Sequence, residues 1–165
     1  MIRNLFRVTL VILSLVCVQT LATTASAVAG EQRNFPGWEK GGDYDKHYNV
    51  SEYDQFKGTV EDIVEVTPLP GMAPGVGLSV RDEGKELVKV HLGPKDFVDV
   101  KSTGLKKGDK VKVKGVWAEV GGQDVFMASK VKKGETVEVK FRKTKDGTPF
   151  WTLTPEELAK EQGQE

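Results

Sequence analysis

Two neighbouring stretches constrain this chain most. Val76, Leu78 and Val80, then Val88, Val90 and Leu92, place an apolar side chain at every second position, and Asp82-Glu83-Gly84-Lys85 stands between the two sets. A period of two marks a strand with one buried face, and the glycine-containing interval supplies a hairpin turn. Pairing 76 with 92, 78 with 90 and 80 with 88 puts every apolar side chain on one side. A slip of one residue would mix them with Lys89 and His91, so burial selects the register. In that register His91 stands on the outer face, opposite Gly77 and in line with Lys89 and Arg81.

The rest of the middle of the chain carries the same signal. Phe56, Val60, Val64 and Val66 are read on one side of a long first strand, with Lys57, Thr59, Glu61 and Glu65 on the other. Gly58 sits where that strand must bend to serve two sheets. A loop rich in proline and glycine follows over residues 68–75. Val111 and Val113 alternate with Lys110, Lys112 and Lys114 until Gly115 breaks the pattern, as a bulge at a barrel corner does. Gly121-Gly122 makes a tight connection into a strand over 123–131. Val137, Val139 and Phe141 alternate with Glu138, Lys140 and Arg142, and after Asp146-Gly147 a short return strand is expected at Phe150-Trp151. Residues 94–100 have room only for a short helix or turn, in which Phe97 covers a barrel end. Thr154-Pro155-Glu156-Glu157 combines a cap, a first-turn proline and a glutamate three residues after the cap, which predicts a terminal helix of about two turns.

Five strands, a short element between the third and fourth, and glycines at the bends predict an all-β fold. It is a small closed antiparallel barrel, OB-fold-like, with a short helix between strands 3 and 4 and a C-terminal helix. An SH3-like barrel is the main competitor.

The N-terminus reads differently. Arg3 and Arg7 precede an apolar run over 8–18, and small residues follow to Ala25-Ser26-Ala27, the order of a secretory signal peptide. A span needs roughly 20 apolar residues, more than this run holds, so cleavage after Ala27, with Ala29 as the second choice, and export to the periplasm are expected. Cys17 is the only cysteine, and the residue before it is Val16 rather than the small residue that lipidation favours. The exported chain then has no thiol, which excludes disulfides and cysteine chemistry. Residues 28–54, rich in glycine, aspartate and aromatics, read as an arm ordered where Trp38, Tyr44 and Tyr48 dock. The predicted organisation is therefore leader 1–27, arm 28–54, barrel with a C-terminal hairpin 55–151, and terminal helix and tail 152–165.

Charge is unevenly spread. Without the leader the chain carries a net −2, but residues 28–84 hold −6, 85–145 hold +8 and 146–165 hold −4. Acidic ends folding back over a basic middle is the plain reading.

Four ordered motifs add a resemblance. Phe56-Lys57-Gly58-Thr59-Val60, Gly71-Met72-Ala73-Pro74-Gly75-Val76, Val90-His91-Leu92-Gly93-Pro94 and Asp146-Gly147-Thr148-Pro149-Phe150-Trp151 together resemble a family of small, exported, mostly uncharacterised bacterial OB-fold-like proteins. The resemblance runs from about Trp38 to Trp151. It implies a periplasmic domain with Trp38, Tyr44 and Tyr48 in the same unit, and it implies no reaction. Members tend to carry an aromatic pair after Leu-Gly-Pro-x, whereas here Asp96 precedes Phe97, which weakens an aromatic platform at that spot.

Candidate chemistry is sparse. His91 with Met72, in the loop before the paired strand, forms a possible soft site for copper or haem, although no CxxCH attachment sequence occurs. The plainer reading of His91 is a structural or exposed residue. Asp43, Asp45 and His47 alternate in the arm as a weaker cation set. No GxSxG, HExxH or P-loop is present, and Glu61 and Asp62 are adjacent on a strand, so they face opposite ways. An enzyme is not expected. The outward Lys89, Lys112 and Lys114 suit single-stranded nucleic acid by analogy with other OB barrels, but matching outward aromatics are not evident. The leading expectation is a periplasmic, non-enzymatic binding or accessory module without a cofactor. Its partner would be an envelope protein or a small ligand, engaged through Met72, Gly77, Arg81, Lys89 and His91. A metal- or haem-handling protein and a nucleic-acid binder are the alternatives.

Overall fold

The computed structural model describes residues 34–163; the predicted leader, its cleavage site and Cys17 lie outside them. Six strands follow one another: β1 (Tyr53–Val66), β2 (Gly75–Asp82), β3 (Leu87–Pro94), β4 (Lys110–Val120), β5 (Gln123–Lys133) and β6 (Val137–Lys140). Hydrogen-bonded neighbours run β3-β2-β1-β4-β5-β6, all antiparallel. A short parallel pairing, Val90 with Phe126 and His91 with Met127, joins β3 to β5 and closes the first five strands into a ring. That ring is the OB-fold-like barrel expected from the alternation.

The two helices also fall where they were expected. Helix α1 (Val100–Thr103) lies between β3 and β4, capped by the Asp99 side chain. It begins at the end of the segment expected to hold it, because residues 95–97 are used in a turn. Helix α2 (Pro155–Gln162) starts with a complete capping box: the Thr154 hydroxyl accepts from the Glu157 amide, and the Glu157 carboxylate accepts from the Thr154 amide.

Bulges correct three details of the register. Leu78 pairs with Val90 and Val80 with Val88, but Val76 pairs with Gly93 because Leu92 is an extra residue on β3. In β1 an irregularity between Val60 and Asp62 inverts the alternation. Ile63 therefore packs against the core, while Val64 and Val66 turn to the outer face beside Gly77. At Gly115 the expected bulge is present, and the extra residue is Ser129 on the partner strand. A Cβ on Gly115 would lie 2.1 Å from the Met127 carbonyl oxygen, so only glycine fits there. The return strand expected at Phe150-Trp151 is instead a 3-10 turn, Phe150–Thr152, preceded by a single bridge between Arg142 and Pro149.

One sequence signal now acquires a meaning. In β5 the run Val125-Phe126-Met127-Ala128 is buried at every position, not at alternate ones. A strand buried at consecutive residues is covered on both faces. The cover on the barrel's outer side comes from the chain ends: Trp38, Tyr44, Phe141 and Trp151 belong to the same core as the strands.

Candidate functional site

The outer face around His91 is closed by the arm. His91 pairs with Gly77 on β2, as the register required. It also pairs with Met127 on β5, and Met127 with Val116 on β4, so these side chains form one row across the outside of the ring. The row is covered: His91 is 8% exposed and Met127 1%. Tyr44 lies over the histidine, its hydroxyl 3.2 Å from Nδ1 and the ring centroids 6.0 Å apart. Burial, helped by the charge of Lys89, lowers the His91 pKa to about 4, so the ring is neutral. Burial likewise raises the pKa of the Tyr44 hydroxyl. The expectation that His91 is open to a partner is therefore corrected: it is on the predicted face, but the arm occupies that face.

The other sequence candidates fall into two groups. Gly77, Arg81, Lys89 and His91 do share one face. The notch at Gly77 is filled, however, because a Cβ there would meet a Val66 methyl and the Val90 carbonyl oxygen at 2.9 Å. Lys89 donates to Gln123 at 2.7 Å, and Arg81 pairs with Glu61 at 2.8 Å. Met72 is 8% exposed and packs beneath Gly37 of the arm; no hydrogen bond joins it to His91. Asp43 and Asp45 diverge, the first pairing with Lys46 on the surface and the second with Arg142 inside. Among the described residues no three His, Cys, Asp or Glu side chains gather as a metal site.

Arg142 went unnoticed in the sequence. It is 3% exposed, and its Nη1 donates to Asp45 at 2.5 Å and to the Gly147 carbonyl at 3.0 Å. Its guanidinium lies 4.6 Å from the Tyr48 ring centroid and 5.0 Å from that of Trp151, cation–π distances to both. One cation thus ties the acidic arm to the C-terminal segment. Gly147 permits the close approach, since a Cβ there would sit 2.5 Å from the Tyr48 ring. No local pattern announces this residue, because in the alternation Arg142 looks like any outward strand position.

Next to the sealed row, on the same side of the sheet, the surface opens, with Lys57, Lys110 and Lys132 exposed. Lys57 on β1 pairs with Lys112 on β4, which pairs with Lys132 on β5, which pairs with Glu138 on β6. One row along, Gln55, Lys114, Lys130 and Lys140 are joined in the same way, and Thr59 pairs with Lys110 and Arg81. Directly opposed strand residues share a face, so seven lysines lie together with one acidic residue among them. Glu138 bonds Lys130 at 3.1 Å and Lys132 at 2.6 Å, and its pKa is lowered because these contacts outweigh the opposing effect of burial. Lys57, Lys110, Lys112 and Lys114 have no carboxylate within ion-pair distance among the described residues. At the upper end of the rows is a groove of about 390 Å³, lined by Lys57, Arg81, Lys110 and Lys112 and, on the hairpin side, by Asp82 and Glu83. Like charges directly opposed across strands destabilise a sheet, so the fold holds this charge against its own stability.

Strand alternation shows Lys57, Lys110, Lys112, Lys114 and Lys140 as outward charges one strand at a time, but not the rows. Rows depend on the registers β1–β4 and β4–β5, and the bulge at Ser129 resets the second of these.

A ring of five strands, one stretch of its outer side sealed by the chain's own flanking segments and the neighbouring stretch open and cationic, is by class a small antiparallel β-barrel domain. Residues 52–138 match the MamS/MamX magnetosome protein family, and the chain belongs to that family. The match spans all five ring strands and ends within β6, so the arm before residue 52, Arg142 and α2 lie outside it. Curated proteins and solved structures give no match.

Proposed function

We propose that this chain is a non-enzymatic binding module of the bacterial cell envelope that serves the magnetosome, and that it works through the lysine rows of β1, β4 and β5. The observation that carries this reading is the opposed pair Lys57 and Lys112, with Lys110 and Lys114 beside it and no carboxylate in ion-pair reach among the described residues. It is a costly arrangement that a bound anionic partner would relieve. Family membership supplies the magnetosome setting. The predicted leader supplies export to the periplasm. The face around His91 is an internal interface between barrel and arm, so the binding role falls to the open lysine rows.

Deleting the gene from a magnetosome-forming host should weaken the cells' magnetic response. Wild-type protein supplied in trans should restore it, whereas Lys57→Glu/Lys112→Glu/Lys114→Glu, exported at the same level, should not. Full restoration by the triple variant would remove the lysine face from the function, and a deletion without phenotype would remove the magnetosome role.

A further inference from the structure

Resting on that reading of the working surface, we propose that the lysine face docks on an anionic lipid bilayer. Three features of the face select this partner. Its cations are lysines, compact point charges on flexible stems, and its one nearby arginine, Arg81, is already engaged by Glu61. Lysines in that form suit a diffuse layer of negative charge, whereas bidentate recognition of single carboxylates or phosphates favours arginine. The charges are also laid out in rows on the sheet, about 4.8 Å apart between strands and roughly 7 Å apart along them. An array of this kind meets a charged surface.

The third feature is what accompanies the charge. A groove for single-stranded nucleic acid needs aromatic faces on which bases stack. The exposed indole nearby, Trp117, is 42% exposed but stacks on Phe56 and meets Phe126 edge-on. It pairs with Phe126, in the same row as Val90, and so belongs to the side opposite the lysines. What the cationic side has at its rim is Leu87, 54% exposed and paired with Arg81. An apolar side chain beside a basic face is the combination that peripheral membrane binding uses. No helix among the described residues is long and apolar enough to cross a membrane, so attachment by this face would be reversible and salt-dependent.

The test is co-sedimentation of the full exported chain with vesicles. Phosphatidylcholine vesicles containing about a third phosphatidylglycerol should carry the protein down at low salt and release it at high salt, as expected for charges within a Debye length of the surface. Vesicles of phosphatidylcholine alone should not bind. Each lysine near an anionic surface contributes roughly fivefold, so Lys57→Glu/Lys112→Glu/Lys114→Glu should weaken binding by at least about a hundredfold. A variant with the same change in net charge outside the rows, Lys101→Glu in α1, Lys145→Glu in the loop before Pro149 and Lys160→Glu in α2, should retain it. Melting of the first variant at or above the wild-type temperature shows that its loss of binding is not unfolding.

Failure of the wild-type protein to bind the anionic vesicles, equal losses in both variants, or preferential binding to polyglutamate or single-stranded DNA would overturn the proposal. If the vesicles fail while the triple variant still cannot restore the magnetic response, the lipid is wrong and the face stands. If the variant restores the response, the face itself is wrong.

Discussion

Replacing Trp38 by alanine should cost about 3–5 kcal/mol of folding stability, the range for removing a fully buried tryptophan from a core. The residue lies in the arm, outside the strands, yet it is 1% exposed. Its indole N–H donates to the Ala73 carbonyl at 2.8 Å, and its own carbonyl accepts from the Trp151 indole at 2.7 Å. The ring meets Tyr44 and Trp151 edge-on, with centroids 4.7 Å and 5.7 Å away. Gly75 is held to glycine by the same ring, because a Cβ would lie 2.3 Å from it. Truncation therefore opens a cavity, leaves the Ala73 carbonyl without its donor and loosens Tyr44 over His91. Urea unfolding of the two proteins measures the loss. A difference below about 1 kcal/mol, the size of an ordinary surface substitution or less, would mean that the arm is an appendage and not part of the domain. Trp38→Phe keeps an aromatic ring but not the N–H, and should fall between the two.

The second large effect depends on pH. Unfolded His91 takes up a proton near its ordinary pKa of about 6.5, while in the folded protein burial and the charge of Lys89 hold that pKa at about 4. Above the unfolded value both states are neutral and the histidine contributes no pH dependence. As pH falls from about 6.5 toward 4, the unfolded state binds a proton that the folded state refuses. Stability is lost across that window, by about 3 kcal/mol at its lower end. The groups facing the ring are the Tyr44 hydroxyl, whose pKa burial raises, and, through space, Lys89. His91→Gln can keep a hydrogen bond to Tyr44 without titrating. Its stability, followed by urea melts between about pH 7.5 and pH 4.5, should decline less than that of the wild type by about 2–3 kcal/mol. Carboxylates with lowered pKa values, such as Asp109 and Asp146, titrate in both proteins and cancel in the comparison. Parallel curves would show that the arm leaves His91 open to protons.

These two residues also show what was legible in the sequence. The strands, their turns and the capped C-terminal helix are local, and alternation with turn chemistry reveals them directly. The pairing of His91 with Gly77 is one step beyond local. It was accessible because only one hairpin register buries Leu78, Val80, Val88 and Val90 together. What covers a face is not local. Tyr44 reaches His91 from 47 positions away, and Arg142 reaches Asp45 across 97. The traces of that cover in the sequence are the arm aromatics Trp38, Tyr44 and Tyr48, expected to dock, and the unbroken apolar run in β5, which alternation alone treats as an irregularity. Bulges at Glu61 and Leu92 likewise escape a period-two reading, since each inserts one residue and inverts the faces beyond it, and of the bulge expected at Gly115 the sequence does not show that the extra residue is Ser129 on the partner strand. For the same reason the lysines were visible one strand at a time, while their assembly into rows was not.

Thermal melting of wild type and Lys57→Glu across a salt series shows whether those rows hold uncompensated charge on an open face. Lys57 faces Lys112 directly, so the substitution turns a repulsive cross-strand pair into an attractive one. From about 0.01 M to 1 M salt the Debye length falls from about 30 Å to about 3 Å. The wild-type melting temperature should rise with salt, Lys57→Glu should melt higher at low salt, and the gap should close as salt increases. A wild-type melting temperature that is flat or falls with salt, with Lys57→Glu no more stable at the low end, would contradict uncompensated charge on that face.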